Sequence, residues 1–600
     1  GDHTDAKLIL LDSSDVTLAE ATSIQFSTTY PGLQVQDAVR DNTKVGHTGV
    51  NLTVNFTVPA SSQVEIPNSG RIRVTLPQHF SAYKSDGSES FVGVTLTQVI
   101  LPDGEEVSNI TVGSVTYDSN QVTWPIGADE TIKGGTTVVF AISGLKNPSS
   151  TISLYRQGLV QLLGAADNNE VGDTVLSSAP FSVDSSTPAA LTNTVVALED
   201  DVAGKHTNLT FRFTAFNPLP TGATIRIEFP DADYPQLNND TLTDGLFVDS
   251  SYGNLSLSLL KNENDETYVV ELLRLNGAEI PKNTAIEVML RNVQNPRYST
   301  VPGNFKITTF TPSPKHEIDQ SNSVQAQQIT KSTLAVANAV LGDTRAGFNS
   351  TASSPFTINV TITNPFPIDG VMVVTFPAAY DVTGVSVDSY SFDGSVALSR
   401  DGDSLNITRS GGSRVPEQGD VWVKFAGVKN PLSSSPIGSF DVELMTSSLL
   451  TTDQGTATVV GNLASGDLVD FTITPTTYVA GETGNITVSA TITNPLPSDG
   501  SIYVFLPQLV KWAGSMAVKD ASFDGTIAYG LVPSKPGVLN VTRNGDGNET
   551  VAGTNIRLLL IDVKNLPFSG DAGNYNMSTR QSNGVFIDVA SAASVEPTFQ

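Results

Sequence analysis

Six hundred residues with a formal net charge of −28 and no cysteine exclude several classes of protein at once. The acidity argues against nucleic acid or an anionic membrane as partner, since both need basic surface. The missing thiols rule out disulfides, thiolate metal sites and thiol redox chemistry. A chain this long exceeds what one core can serve, so several domains are expected. Ser, Thr, Gly, Val and Asn are plentiful and long helical patterns are absent, a composition that favours strands and turns. No run approaches the length of a membrane-spanning helix, so no membrane insertion is expected. The sequence opens on Gly1 without a secretory leader, so a secreted protein would be read here in its processed form.

In chain order, residues 1–32 come first as an N-terminal strand segment. Leu8, Ile9, Leu10 and Leu11 form one of the longest apolar runs. This segment resembles the end of a domain whose body is missing. Phe440 to Ser448 likewise runs from an apolar strand into a Ser-rich connection. An apolar strand without its own sheet leaves backbone groups unpaired and a face unburied. Addition to the sheet edge of another subunit, as a donor strand, satisfies both needs. The competing expectation is that the segment folds back on the first domain as an extra strand.

Four repeats follow, expected as domains over 33–182, 183–330, 331–466 and 467–600. Three of them share a Pro-rich turn: Asn217-Pro218-Leu219-Pro220, Asn364-Pro365-Phe366-Pro367 and Asn494-Pro495-Leu496-Pro497. Proline cannot donate to a ladder, so these residues mark a loop between strands. On both sides apolar residues step by two: Leu209, Phe211 and Phe213 before the first turn, Ile225, Ile227 and Phe229 after it. Residues 50–77 fit the pattern with Leu52, Val54 and Phe56, then Ile72, Val74 and Leu76, separated by a longer loop from Pro59 to Gly70. The turn between two such runs predicts a hairpin.

A second marker closes each repeat: Asn147-Pro148, Asn295-Pro296, Asn430-Pro431 and Asn565-Leu566-Pro567. These asparagines lie 148, 135 and 135 residues apart by subtraction of their numbers, the length of a domain and not of a solenoid rung. The Ser/Thr/Ala-rich stretches 177–192, 318–332 and 451–466 contain enough Val, Phe and Ile to pair as edge strands and read as short ordered connections between repeats.

Regular short strands, turn signals and no helices predict an all-β chain of antiparallel sandwiches. The repeats resemble immunoglobulin-like domains in architecture, although the Cys…Trp…Cys signature of antibody domains is absent. The resemblance implies four tandem two-sheet domains, arranged as a rod behind the N-terminal segment. It assigns no function by itself.

The strongest chemical signal is the set of Asn-x-Ser/Thr sequons, candidate N-glycosylation sites. They are Asn51, Asn55, Asn109, Asn208, Asn239, Asn254, Asn349, Asn359, Asn406, Asn485, Asn540, Asn548 and Asn576. Their positions repeat: Asn208 and Asn485 both lie nine residues before the turn Asn, and Asn51 is their counterpart in the first repeat. On these strands the sequon Asn alternates with buried residues and is expected to face solvent.

Other chemistry is weaker. Asp401-Gly402-Asp403 and Asp231-Ala232-Asp233 offer oxygen ligands of the kind calcium takes, yet no EF-hand spacing occurs, and such pairs are ordinary turn residues. No metal site and no cofactor is therefore expected. His3, His47, His79, His206 and His316 are scattered, with no HExxH pair and no nucleophile elbow, which predicts no catalysis. Trp124, Trp422 and Trp512 are placed in strands or at their ends. No Lys recurs in an early strand to support a Lys–Asn isopeptide crosslink.

These readings together predict a secreted, N-glycosylated structural protein that pairs with itself head-to-tail into a filament. The alternative is an adhesin or receptor ectodomain displaying ligand-binding loops.

Overall fold

The structure is a computed structural model. It describes residues 6–11, 17–24, 32–60, 70–82, 93–107, 111–127, 131–151, 157–164, 175–230, 234, 248–250, 253–261, 268–459, 462–590 and 598–600. The chain divides into two compact units. The first takes Gly1–Asp200, His206–Gln294 and Val301–Gln327; the second takes Asp201–Lys205, Asn295–Thr300 and Gln328–Gln600. Among the described residues every regular element is a strand.

In the first unit, Thr48–Thr57 lies between Gln34–Arg40 and Thr137–Lys146 in one sheet. The facing sheet runs Val175–Ser182, Gln157–Leu163, Arg71–Thr75, Gln121–Pro125 and Thr116–Asp118. Alternation decides which side chains meet: in Arg71–Thr75 only Ile72 and Val74 are buried. They join Val54, Phe56, Trp124, Phe140 and Val160 in one core drawn from both sheets. Trp124 packs edge-on against Phe140 at 4.9 Å, a core role for this indole. The second repeat is built the same way, with His206–Thr214 and Ala285–Gln294 facing Thr224–Glu228 and Asn304–Phe310. Phe211, Phe229 and Phe305 lie between them.

In the second unit the two sheets of each repeat are joined by a parallel pairing of an early strand with the last one. Gly466–Pro475 runs beside Phe586–Ala590, and Val336–Val340 beside Thr451–Thr458. Phe356, Phe376 and Phe440 converge at 5.0 to 5.2 Å in one core. Ile486, Val504, Leu558 and Met577 lie in the other.

The Pro-rich turns are not hairpin turns. His206–Thr214 and Thr224–Glu228 flank Asn217-Pro218-Leu219-Pro220 but belong to opposite sheets. The same holds for Thr48–Thr57 and Arg71–Thr75 in the first repeat. Period-two patterning reports one buried face and nothing about whether the next run pairs beside it or packs across the core. The turn instead arches over the end of the sandwich. The stretches read as ordered connections do pair as strands. Glu317–Gln325 pairs with Asn304–Phe310 and Thr451–Thr458 with Ser439–Met445, leaving only a few residues to link repeats.

Ala6–Leu11 pairs with Thr17–Ile24, and among the described residues this hairpin joins no other sheet. Its register is informative. Leu11 pairs with Thr17 and Leu10 with Ala19, a one-residue slip. Met445 with Thr451 and Leu444 with Asp453, in the final hairpin of the third repeat, make the same slip. So do Leu163 with Val175 and Leu162 with Ser177 in the first. The side chains of Leu8, Ile9, Leu10 and Leu11 lie outside the described residues.

Candidate functional site: a repeated asparagine latch

The two asparagine motifs of the sequence meet at one recurring site. The closing asparagine builds a loop. Asn147 donates from Nδ2 to the carbonyls of Asn42 and Lys44, both at 2.8 Å. Asn430 does the same to Asp343 and Arg345, and Asn565 to Thr477 and Val479. Asn295 reaches Val202. The loop so held ends on a left-handed glycine, Gly46, Gly204, Gly347 or Gly481, with φ between 66° and 75°. Each glycine N–H donates to the carbonyl of the residue after the closing Asn.

The turn asparagine enters this loop from the following repeat. Within the first unit, Asn217 Nδ2 donates to the Val45 carbonyl at 3.3 Å. Within the second, Asn364 reaches Ala203 at 3.2 Å and Asn494 reaches Ala346 at 3.0 Å. Here only glycine fits. A Cβ built on Gly46, Gly204 or Gly347 would fall 1.6, 1.8 or 1.5 Å from the Oδ1 of Asn217, Asn364 or Asn494. The side chain therefore lies against the glycine Cα. A further backbone bond repeats beside it: Thr151 N–H to Glu317, Ser299 to Thr451 and Ser434 to Phe586, at 2.7 to 2.8 Å.

Two side chains that the sequence reading missed fix the asparagine from its own repeat. Asp588 accepts from the backbone N–H and from Nδ2 of Asn494, at 2.9 and 2.7 Å. Asp319 and Asp453 hold Asn217 and Asn364 in the same two-point grip. All three carboxylates are buried. Burial pushes the Asp319 carboxyl up to about 6, against the hydrogen bonds from Asn217 that favour its charged form. Burial raises Asp453 and Asp588 as well. The second missed group is a buried arginine that ties down the turn. Arg543 Nη1 donates to the carbonyls of Leu496 and Pro497, Arg274 to Leu219 and Pro220, and Arg409 to Phe366 and Pro367. Both signals were present in sequence, because Asp319, Asp453 and Asp588 recur at the repeat spacing, as do the three arginines. The first repeat departs from the pattern, with Ala60 in place of the turn Asn and Ser177 in place of the Asp. Ser177 Oγ is buried and accepts the N–H of Leu33 instead.

The latch offers no route to acid–base chemistry: both oxygens of each carboxylate are occupied and shut away from substrate. Its capacity is mechanical, a desolvated side chain spanning two repeats.

The described sequon asparagines differ in exposure. Asn51, Asn254, Asn349, Asn548 and Asn576 are exposed; Asn55, Asn208, Asn359, Asn406, Asn485 and Asn540 are half-exposed. Asn109 and Asn239 lie outside the described residues. Asn51, Asn208 and Asn485 occupy one structural position, their carbonyls accepting from Asp41, Glu199 and Thr476 of the preceding strand. The Oδ1 atoms of Asn55 and Asn359 are buried without a hydrogen-bond partner.

Gly402 turns the chain between Ser395–Asp401 and Ser404–Ser410, so Asp401 and Asp403 are hairpin residues; Asp231 and Asp233 lie outside the described residues. Among the described residues no group of three or more His, Asp or Glu is placed to hold a metal ion. His206 lines a groove of about 500 Å³ with Glu199, Asp200, Asn208 and Arg291. His47 stacks on Phe216.

Paired antiparallel sheets around common cores make this an all-β protein of tandem immunoglobulin-like sandwiches. No protein-family model matches the chain, and no curated protein matches it. Among solved structures it is similar to a putative membrane-anchored protein of Corynebacterium diphtheriae, at 12% identity and a TM-score of 0.17, over 72% of this chain and 93% of that one. The C-terminal domain of the Streptococcus pyogenes antigen I/II-family protein AspA matches at 8% identity and a TM-score of 0.18, over 50% and 98%. Two domains of the major pilin SpaD of Corynebacterium diphtheriae match at 11% and 0.17, over 49% and 89%. The fold assignment rests on the strand order and shared cores described above.

Proposed function

We propose that the chain is a structural subunit of an extracellular, N-glycosylated filament, built of four domains over 33–182, 183–330, 331–466 and 467–600. Subunits assemble head-to-tail by strand addition from residues 1–32. The observation that carries this reading is the N-terminal hairpin. It has the register of a repeat's final hairpin, yet among the described residues it pairs with no strand of the kind on which such a hairpin rests. In the third repeat, Ser439–Met445 pairs along its other edge with Val371–Thr375, and in the fourth Asn576–Arg580 pairs with Ser501–Phe505. Ala6–Leu11 has no such neighbour among the described residues, so its open edge is suited to a sheet of another copy. A contact of that kind is heterologous and propagates. The latches suit a load-bearing chain, because they resist separation of successive repeats with buried, directional bonds.

In this reading the partner is the chain itself, with neither cofactor nor metal, and glycans on exposed strand faces limit unwanted sheet-to-sheet contact. The groove around His206 and Arg291 favours one other reading, an adhesin or receptor ectodomain that binds a ligand on its surface. Deleting residues 1–32 separates the two. The filament reading predicts a folded chain that stays monomeric by light scattering while the full chain grows. Equal growth of both would remove the strand donor from the account.

A further inference from the structure

The fourth repeat presents the receiving half of the latch. Asn565 holds the loop at Thr477 and Val479, Gly481 is left-handed at φ 75°, and its N–H reaches the Leu566 carbonyl. These are the features of Gly46, Gly204 and Gly347, yet a Cβ on Gly481 would meet no heavy atom of the described residues within 4 Å. Ser569 is the counterpart of Thr151, Ser299 and Ser434, four residues past the closing Asn. Those three donate to the following repeat, whereas Ser569 is exposed. Beside it Phe568 and Val479 stand 54% and 55% exposed, whereas of the counterparts of Phe568 Ser150 and Ser433 are buried and Tyr298 is half-buried. Gln600 pairs with Tyr478 and Ala480 as Thr187 pairs with Thr43 and Val45, the point from which the chain elsewhere enters its next repeat.

We infer that the face formed by Val479, Ala480, Gly481, Phe568 and Ser569 is a docking surface. Its occupant is a β-sandwich repeat of the kind seen here, with an Asn-Pro turn backed by a buried Asp. Continuity with the three formed latches argues for that occupant. The Ala480 carbonyl matches Val45, Ala203 and Ala346, each of which accepts from a turn Asn. A docked repeat would cover the two apolar side chains and give Ser569 N–H an acceptor. The first repeat of a second copy is a poor occupant, because Ala60 and Ser177 stand where the Asn and Asp are needed. The inference is independent of the strand-donor reading, which concerns residues 1–32.

The test is amide hydrogen exchange on the full chain and on the same chain carrying a second copy of residues 467–600 after Gln600. Docking predicts that Ser569 and residues 479–482 exchange at least about tenfold more slowly in the extended chain, as a newly buried hydrogen bond requires. Two variants of the extended chain should return Ser569 to its original rate. Asn494→Ala in the appended copy removes the plug. Gly481→Asn tolerates the left-handed backbone but fills the space the plug needs. Equal exchange in the two chains would overturn the inference. Protection of Ser569 that grows with concentration in the original chain would overturn the choice of occupant, since its free first repeat carries Ala60.

Discussion

Asn494 and Asp588, 94 residues apart in sequence, share two hydrogen bonds of 2.9 and 2.7 Å in a site where both side chains are buried. The pair positions the Asn494 amide to reach Ala346 in the preceding repeat. Burying a carboxylate is costly, and here the cost is offset by charge-assisted bonds from Asn494 and Thr493. Removing either partner leaves the other unsatisfied. Asn494→Ala and Asp588→Ala should each destabilise the fourth repeat by about 2 kcal/mol, with the double variant losing less than the sum. Guanidinium titrations of the three variants, followed by Trp512 fluorescence, check this.

Two glycines of nearly equal backbone conformation should respond very differently to a methyl group. Gly347 and Gly481 have φ of 74° and 75°, so alanine costs each about 1–2 kcal/mol of left-handed strain. At Gly347 the new Cβ also displaces the Asn494 amide, adding about 2 kcal/mol for the lost latch. At Gly481 no such addition arises. Denaturation midpoints of Gly347→Ala and Gly481→Ala read the difference directly.

Arg543 is buried and ties the carbonyls of Leu496, Pro497 and Asn548 to one guanidinium. Arg543→Met keeps most of the stem's packing and strands these acceptors. A loss of about 3 kcal/mol is expected, together with faster exchange of the Thr550 amide, which donates to Leu496.

The latch carboxylates give a pH signature of defined sign. Asp319 has its folded value raised to about 6, above the ordinary 3.8. The folded state therefore binds the proton more tightly than the unfolded state between those limits. The contribution of Asp319 is greatest below about pH 4 and is lost as pH rises through about 6. Carboxylates with lowered values, such as Asp343 and Asp524, act in the opposite sense, so the comparison must isolate one group. The stability advantage of the natural chain over Asp319→Asn should be larger at pH 4.5 than at pH 7. Urea titrations at the two pH values measure it.

Glycan occupancy should follow exposure. Asn254, Asn349 and Asn576 are exposed on strands or loops, whereas Asn55 and Asn359 keep Oδ1 buried. Peptide mass spectrometry of the protein from a eukaryotic secretory host should find the first three occupied more completely than the last two.

Much of this fold was legible because its strands bury one face and expose the other. Val54 and Phe56, or Ile72 and Val74, announce a strand and its inward side. Alternation is blind to which strand lies alongside, so the Pro-rich turn reads as a hairpin when it crosses between sheets. The site was half legible. Both asparagine motifs are conspicuous through their prolines, but Asp319 and Asp453 sit in polar strands rich in Ser, Thr and Gln, and Asp588 in the short apolar strand Phe586–Ala590. Nothing local marks Asp588 as buried; only its recurrence opposite Asn494 does. The N-terminal hairpin shows the reverse case. The run Leu8 to Leu11 suggests a repeat's final strands, and what the backbone adds is a slip between Leu10 and Leu11 like that between Leu444 and Met445.

The central claim is that residues 1–32 join one copy to the next. Negative-stain electron microscopy of the untagged chain at micromolar concentration, beside the chain lacking residues 1–32, tests it most directly. Regular filaments from the first and dispersed particles from the second are predicted. Dispersed particles from both, or filaments from both, would contradict it.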